Sequence, residues 1–413
     1  VAVARGKPPL QHWPPLGMVS ACDTRGPESA GSTCAAGVES VPTVVSNQLI
    51  DAAVALAALA RRHGQRRALV LAGERDWGRE AACEVLERLA PVAVHWFSDA
   101  APPGAAASQG SAALALLGCE LDALVFDAWS GFDPDAFGAL TGTLRGGGLL
   151  LLLTPPLQRW PQFPDPQNRR IAVAPYSAEQ VSGRFLQRLV RVLESDPDVL
   201  RCEEGRPVRV PVDAVPPTTQ CREPVAAPCR TADQQRAVDA VVRVVTGHRR
   251  RPVVLTSDRG RGKSAAFGIA AAQLIQAGRE HILVTGPRMR ATQAVLEHAR
   301  SLLPQERHGA IAFRPPDELL RESPPTDLLL VDEAAAIPAP LLEGLLKRYS
   351  RIAFATTVHG YEGTGRGFAI RFSQSLDRYS NSWKQLTLTT PIRWSDDDPL
   401  ERLVFRMLLL DAN

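Results

Sequence analysis

The spacing of apolar residues along the chain switches repeatedly between a helical and a strand-like pattern. From Asn47 to about residue 200, stretches with apolar residues every three or four positions are separated by short apolar runs at 68–72, 123–127 and 149–153. Such runs between amphipathic helices are typical of buried parallel strands. We therefore predict that residues 46–205 form a doubly wound α/β domain with a parallel sheet.

Two local predictions within this domain depend on residue type. Three consecutive glycines at 146–148 are expected to break the helix predicted at 132–144, ahead of the strand at 149–153. Apolar residues on one face predict a helix over 177–194.

A second alternation of strands and helices begins after a stretch rich in proline. Residues 206–230 have many prolines and few apolar runs, so they are predicted to be a linker. A helix is expected to follow Thr231 as its N-cap, and apolar runs at 252–255, 281–285, 327–331, 352–357 and 383–388 predict strands. Residues 231–413 are thus predicted to form a second α/β domain, and the loop and acids described below predict that it is RecA-like.

Residues 1–45 lack any sustained periodicity and are rich in proline, glycine, serine and alanine. We predict a disordered leader without chemistry. Whether these residues belong to the native protein is left open by the sequence.

Composition excludes some classes of protein. The 413 residues carry a formal net charge of +3, which permits a nucleic-acid partner without requiring one. The seven cysteines include no C-x-x-C pair, so neither a disulfide framework nor a zinc site is indicated. Apolar runs are too short for a bilayer, and a cytoplasmic protein without a membrane partner is expected.

A phosphate-binding loop is predicted at 256–264, between the apolar run 252–255 and the helical segment 265–276. Lys263 would reach the β- and γ-phosphates of a nucleotide, and Ser264 would ligate Mg²⁺. We expect the Lys263 ammonium to be exposed when the loop is empty. Ser257 stands where the usual motif has glycine, and a chance turn rich in glycine and arginine is the alternative.

Two carboxylates, Asp332 and Glu333, end the apolar run at 327–331. In an ATPase, Asp332 would hold Mg²⁺ and Glu333 would orient or deprotonate the attacking water. A helix N-cap followed by a first-turn acid is the other interpretation of this pair.

Polar residues elsewhere in the second domain are weaker candidates. Gln234 can read an adenine edge through its amide, although a surface glutamine is the alternative. The hydroxyls of 356–357 could sense the nucleotide, or merely cap a strand. We expect the loop 359–368 to be fit for stacking, and Arg288, Arg290 and Arg366 to contact RNA backbone.

Several motifs together resemble the tRNA(Met) cytidine acetyltransferase family. They are RGRGKS at 259–264, VDEAAAIPAPL at 331–341, TTVHGYEGTGRGF at 356–368 and PIRW at 391–394. The first domain is similar through RR at 66–67, VFD at 125–127, GFD at 131–133 and LTGTL at 140–144. The resemblance covers residues 46–413.

The resemblance implies an enzyme that acetylates the wobble cytidine of elongator tRNA(Met), with acetyl-CoA as donor and with ATP hydrolysis by a helicase-like module. The loop and the two acids already predict catalytic Lys263, Asp332 and Glu333, with Ser264 and Asp332 on Mg²⁺. The ATP contacts that the resemblance implies are Gln234, Gly260, Arg261, Gly262, Lys263, Ser264, Ala265, Ala266, Phe267, Gly268, Ile269 and Arg393.

The family continues into an acetyltransferase domain and a tRNA-binding tail, which we expect after Asn413. The chain shows no acetyl-CoA loop of the pattern R/Q-x-x-G-x-G/A between a strand and a helix. We therefore expect ATP hydrolysis without acetyl transfer. A fragment and a standalone ATPase both remain open, as do the tRNA identity elements and the oligomeric state.

Two other classes of function compete with this one. A general RNA helicase should carry a second RecA-like lobe with an arginine finger after the first, whereas the other α/β segment precedes the motor and has no helicase motif. A regulatory nucleotide sensor has no need of the carboxylate of Glu333 beside Asp332.

Overall fold

Two sheets of parallel strands organise the protein. The computed structural model describes residues 46–116, 119–208, 225–357 and 365–410. Each sheet has six strands, and every strand pair is parallel. The predicted α/β fold class is confirmed. Within these ranges, each helix is too short or too polar to span a bilayer.

The first sheet and its helices comprise, in chain order, α1 (Asn47–His63), β1 (Arg67–Ala72), α2 (Arg75–Leu89), β2 (Val94–Phe97), β3 (Ala107–Ser108), β4 (Leu121–Asp127), α3 (Pro134–Thr141), β5 (Leu144–Thr154), α4 (Asn168–Ile171), α5 (Arg184–Ser195) and β6 (Val199–Glu203). The strand order is β3-β2-β4-β5-β1-β6. All of β1 is buried, as the apolar run at 68–72 predicts for a central strand covered on both faces.

The second sheet is built from α6 (Ala232–Thr246), β7 (Val253–Ser257), α7 (Lys263–Gln276), β8 (Ile282–Thr285), α8 (Gln293–Ser301), β9 (Ile311–Phe313), α9 (Pro316–Glu322), β10 (Leu328–Val331), α10 (Ala339–Arg348), β11 (Ile352–Thr357), α11 (Gly365–Tyr379) and β12 (Lys384–Leu388). The order β12-β7-β11-β10-β8-β9 makes β7, β11 and β10 direct neighbours. Their carboxyl ends therefore meet at one edge of the sheet.

The last described helix, α12 (Pro399–Leu408), follows the second sheet in sequence but packs on the core of the first. Asp398 caps it by accepting a hydrogen bond from the Glu401 amide (2.8 Å). Its buried side chains join the cluster of the first domain, namely Leu400, Leu403, Val404 and Met407. The second domain predicted at 231–413 thus ends in a helix whose apolar face serves the other core.

Arg66 and Asp398 form a buried ion pair that ties α12 to the start of β1. The Arg66 guanidinium donates to Asp398 Oδ1 through Nε (3.1 Å) and Nη2 (2.9 Å), and its backbone amide donates to Oδ2 (2.6 Å). The side chains are 3% and 0% exposed. This pair joins residues 332 positions apart in the sequence.

Three local predictions are wrong. The helix predicted at 132–144 ends at Thr141, and the glycines at 146–148 do not break it but lie within β5, where Gly147 has φ +88° and the pairing with β4 shifts register. The helix predicted at 177–194 starts only at Arg184. The loop predicted at 359–368 becomes helical from Gly365, and its residues 359–364 lie outside the described ranges.

Candidate active site

The predicted phosphate-binding loop and both acidic residues lie at the same edge of the second sheet. The loop follows β7, Asp332 and Glu333 follow β10, and Thr357 ends β11 between them. Thr357 is paired with Ser257 and Phe354 with Val331 in the strand register. The fold therefore brings together residues that are far apart in the sequence.

Two glycines give the loop its backbone shape. Gly260 has φ +74° and Gly262 has φ +81°, a region that side chains disfavour. A Cβ at residue 262 would come within 2.7 Å of Gln234 Nε2, so the space is also closed to a larger residue. Within the described part of the chain, the amides of Gly260, Arg261 and Gly262 donate to no protein acceptor. A nucleotide phosphate fits such a loop at the start of α7.

Lys263 is buried at the centre of the loop, so the expectation that it is exposed is wrong. Its ammonium donates to Ser257 Oγ (2.9 Å) and to Thr357 Oγ1 (3.1 Å). Burial lowers the pKa of Lys263, and the nearby charges of Glu333 and Asp332 oppose this shift. Ser257, the residue that departs from the usual motif, thus supplies an oxygen that satisfies the buried ammonium.

Asp332 and Ser264 provide the oxygen donors that Mg²⁺ prefers. Ser264 Oγ donates to Asp332 Oδ2 (2.8 Å), and the Glu333 amide donates to Oδ1 (3.0 Å). Asp332 is fully buried, and this burial, followed by the charge of Glu333, raises its pKa to about 7. A divalent cation would favour the ionised carboxylate, so these residues fit the predicted metal.

Glu333 occupies a strained backbone conformation directly after Asp332. Its φ of +47° lies in the left-handed region, which is uncommon for a residue with a side chain. Its carboxylate accepts a hydrogen bond from Thr357 Oγ1, at 3.3 and 3.4 Å from the two oxygens. Thr357 therefore links the carboxylate of Glu333 to the ammonium of Lys263.

Gln234 lies beside the loop rather than on the surface. The side chain is 1% exposed, its Nε2 donates to the Gly262 carbonyl (3.3 Å), and its Oε1 accepts from the Arg230 amide (2.8 Å). An amide has two donor hydrogens and two acceptor sites, so one of each remains for an adenine edge. The predicted adenine contact stays a prediction.

Two predicted arginine contacts have protein partners. Arg261 Nε donates to the Thr389 carbonyl (2.8 Å), and its guanidinium pairs with Glu401 (2.9 Å). Arg393 is 3.7 Å from Glu120 of the first domain, and its pKa is lowered mainly by burial. The contact of Arg393 with ATP stays a prediction.

The remaining predicted contacts lie on the first turns of α7, where most side chains face the core. Gly268 packs against α8, where a Cβ would meet His298 Cβ at 2.6 Å. In this segment, the groups that can contact a nucleotide are therefore backbone groups near the start of α7. The buried residues are Ala265, Ala266, Phe267 and Ile269.

Two contacts around the loop were missed by the sequence analysis. Asp233 Oδ2 accepts from the amides of Thr389 (2.7 Å) and Thr390 (3.0 Å), which fixes the segment after β12. The Trp394 ring lies against Gly260, and the Arg66 guanidinium stacks on it at 3.3 Å from the centroid. The only local signal for these contacts was the acid in the first turn of α6. Their partners are more than 130 residues apart in each case, so the local sequence does not predict them.

Two family models match this chain over separate ranges. Residues 43–204 match the N-terminal domain of tRNA(Met) cytidine acetyltransferase TmcA. Residues 254–411 match the helicase domain of RNA cytidine acetyltransferase NAT10/TcmA. The chain belongs to the tRNA(Met) cytidine acetyltransferase family through these two domains.

Relatives in this family include the tRNA(Met) cytidine acetyltransferase TmcA of Nitrosococcus halophilus, which is 54% identical over 389 residues and is matched by 90% of this chain. The TmcA of Haloarcula marismortui is 39% identical over 397 residues, with 88% of this chain covered. The chain spans about half the length of both relatives, 51% in each case. Among solved structures, Brucella abortus NtrX in complex with ATP is 12% identical, with a TM-score of 0.23, and the match covers 79% of this chain and 69% of NtrX.

Proposed function

We propose that this chain binds and hydrolyses ATP as the helicase-like part of a tRNA(Met) cytidine acetyltransferase. One observation carries the proposal: the hydroxyl of Thr357 connects the Glu333 carboxylate to the Lys263 ammonium, beside a glycine loop with free amides. A hydrolytic carboxylate next to a phosphate-binding lysine suits water attack on a terminal phosphate. The match to the helicase domain supports the same function.

Each side chain has a separate role in hydrolysis. Lys263 would exchange its bonds to Ser257 and Thr357 for the β- and γ-phosphate oxygens, with the loop amides donating to the same oxygens. Glu333 would accept a proton from the water that attacks the γ-phosphorus. The bond between the γ-phosphorus and the bridging oxygen then breaks, and ADP and phosphate leave.

Ser264 and Asp332 would hold Mg²⁺, because they already place a hydroxyl and a carboxylate 2.8 Å apart at this edge. Bound Mg²⁺ would neutralise charge that develops on the phosphate oxygens. Asp332 must be ionised for this role, which its raised pKa of about 7 opposes until the cation is present.

The substrate and the acetyl donor are proposed from the relatives. Both relatives are named as tRNA(Met) cytidine acetyltransferases, so we infer elongator tRNA as the RNA partner, acetyl-CoA as the donor and the cytoplasm as the location. Arg288 and Arg290 are exposed and stay predicted RNA contacts, while the Arg366 side chain lies outside the described part. We assign acetyl transfer to the half of the relatives that this chain does not match.

Replacement of Glu333 by glutamine tests the proposal. We expect Glu333→Gln to bind a fluorescent ATP analogue normally and to lose at least about 100-fold in phosphate release, because an amide cannot accept the proton. Glu297→Gln, an exposed position on α8, is the matched control and should retain full turnover. Lys263→Ala should lose hydrolysis while keeping its circular dichroism spectrum. Normal hydrolysis by Glu333→Gln would refute the proposed catalytic role.

A further inference from the structure

A row of cations lies at the amino edge of the second sheet, opposite the ATP edge. The strand order places Lys384 at the start of β12, Arg251 just before β7, Arg351 just before β11 and Arg279 before β8. The Lys384 amide donates to the Pro252 carbonyl (3.1 Å), and the Arg250 amide donates to the Ser350 carbonyl (2.8 Å). Neighbouring strands are about 4.8 Å apart, so the row extends over roughly 20 Å.

Most charges in this row have no counter-ion. Arg249, Arg250, Arg251 and Lys384 are exposed and form no ion pair within the described residues. Acids near the row include Glu280, Asp327, which lies 3.7 Å from Arg279, and Asp377, which accepts a hydrogen bond from Trp383 Nε1 (2.7 Å) just before Lys384.

The cations lie close enough to influence one another. Burial, and then the charges of Arg249 and Arg279, lower the pKa of Arg351. Such mutual repulsion costs free energy that an anionic partner would recover.

Helix dipoles explain only part of this charge. The amino edge of a parallel sheet is where its helices end, and one cation near each helix C-terminus is favourable. That argument accounts for Arg279 after α7 and for Arg351 after α10. It does not account for three consecutive arginines after α6, at 249–251.

We propose that this cationic row, Arg249, Arg250, Arg251, Arg279, Arg351 and Lys384, binds the phosphate backbone of the RNA partner. The proposal rests on the proposed function for the identity of that partner. Guanidinium groups match phosphate geometry, and a row of mostly unpaired cations is the usual electrostatic footprint of nucleic-acid binding. A membrane surface is a poorer fit, because no large apolar side chain in the described part of the row is exposed to anchor it.

RNA held by the row would lie away from the ATP edge, whereas the predicted contacts Arg288 and Arg290 follow β8 at the ATP edge. The five residues of β7 place the two edges about 16 Å apart. RNA on the amino edge leaves the nucleotide edge accessible, so both ligands can bind together.

The test compares binding of an unmodified elongator tRNA(Met) transcript by four proteins, at salt concentrations from about 50 to 300 mM. Arg249→Glu/Arg250→Glu/Arg251→Glu should bind at least about tenfold more weakly than the wild type, and the slope of log K against log salt should fall by about 2 to 3. Neutral glutamine replacements at the same positions should give a smaller loss in the same direction. Basal ATP hydrolysis without RNA should be unchanged and reports that the variants are folded.

Reversal of three exposed arginines on the first domain, Arg62, Arg88 and Arg169, changes the net charge equally and is the control. An equal loss in that control, or a wild-type salt slope in the 249–251 variant, would overturn the row as an RNA site while leaving the proposed ATPase intact. Loss of binding to phosphatidylglycerol vesicles with tRNA binding retained would overturn it in favour of a membrane. A wild-type protein that hydrolyses ATP but binds no tRNA would overturn both the row and the proposed RNA partner.

Discussion

The indole ring of Trp394 lies directly against the backbone of Gly260 in the predicted phosphate-binding loop. A Cβ at residue 260 would come within 2.8 Å of Trp394 Cζ2 and closer still to Cη2. The same ring also contacts the first domain, because the Arg66 guanidinium stacks on it. A change in the shape of the loop would therefore move the ring on which Arg66, the partner of Asp398, is stacked.

We expect Gly260→Ala to weaken ATP binding at least about tenfold, because a side chain must both adopt φ +74° and displace the indole. The measurement is a titration with a fluorescent ATP analogue. Gly278→Ala is the matched control, since Gly278 has φ +91° but no atom within 4 Å of its Cβ position. If both variants bind ATP equally well, the contact with Trp394 has no influence on the loop.

Asp398→Ala should destabilise the protein by about 3–5 kcal/mol, because it leaves the buried guanidinium of Arg66 without its counter-ion. Urea unfolding followed by circular dichroism measures this loss. Arg321 and Glu322 form an exposed ion pair, with side chains 68% and 54% exposed. Glu322→Ala removes this pair and should change the free energy of unfolding by less than about 0.5 kcal/mol. Equal stability of the two variants would contradict the assigned importance of the buried pair.

Arg393 can test whether the nucleotide competes with the first domain for a guanidinium. Arg393→Ala should raise KM for ATP if this residue contacts phosphate, and Glu120→Ala should lower KM up to about fivefold, because the half-exposed Glu120 no longer holds the guanidinium. In the double variant the effect of Glu120→Ala should disappear. A fall in KM that persists without Arg393 would exclude this competition.

His95 makes the stability of the first domain depend on pH. Its Nε2 is 2.8 Å from Ser108 Oγ, and burial lowers its pKa below the usual 6.5. The neutral ring is thus favoured in the folded state, so its contribution is fully present above about pH 6.5 and is lost as the pH falls through the lowered pKa. The thermal midpoint of the wild type should therefore fall more than that of His95→Gln between pH 8 and pH 5. Parallel curves would show that His95 does not titrate with unfolding.

Local patterns sufficed for most of the parallel strands and for the turn between β7 and α7, but β3, β6 and β9 were not predicted. Apolar runs such as 328–331 are buried on both faces of the sheet, so an unbroken apolar run of this length indicates a parallel strand. The loop at 256–264 is indicated by its own spacing of glycine, lysine and serine. The acids at the end of β10 were predicted because they follow such a run. The sequence alone did not show that Thr357 connects Glu333 to Lys263, since this depends on β11 lying between β7 and β10.

Contacts between residues far apart in the sequence, and hydrogen bonds to buried polar groups, explain why some predictions were wrong. The burial of Lys263 depends on hydroxyls from Ser257 and Thr357, and the second of these comes from a strand 94 positions away. The glycines at 146–148 carry a local signal for a break and form an irregularity within β5, because β4 pairs with Leu144 and then with Leu149. Nothing near α12 indicates which core its apolar face will cover.

The placement of α12 has a consequence for synthesis on the ribosome. The first domain is made early, but Leu400, Leu403 and Met407, which complete its core, follow the whole second sheet. At about 5–20 residues per second, the roughly 200 intervening residues need about 10–40 s to emerge. During that time the first domain exposes the apolar surface that α12 later covers, so the nascent chain should be a chaperone client until the helix arrives.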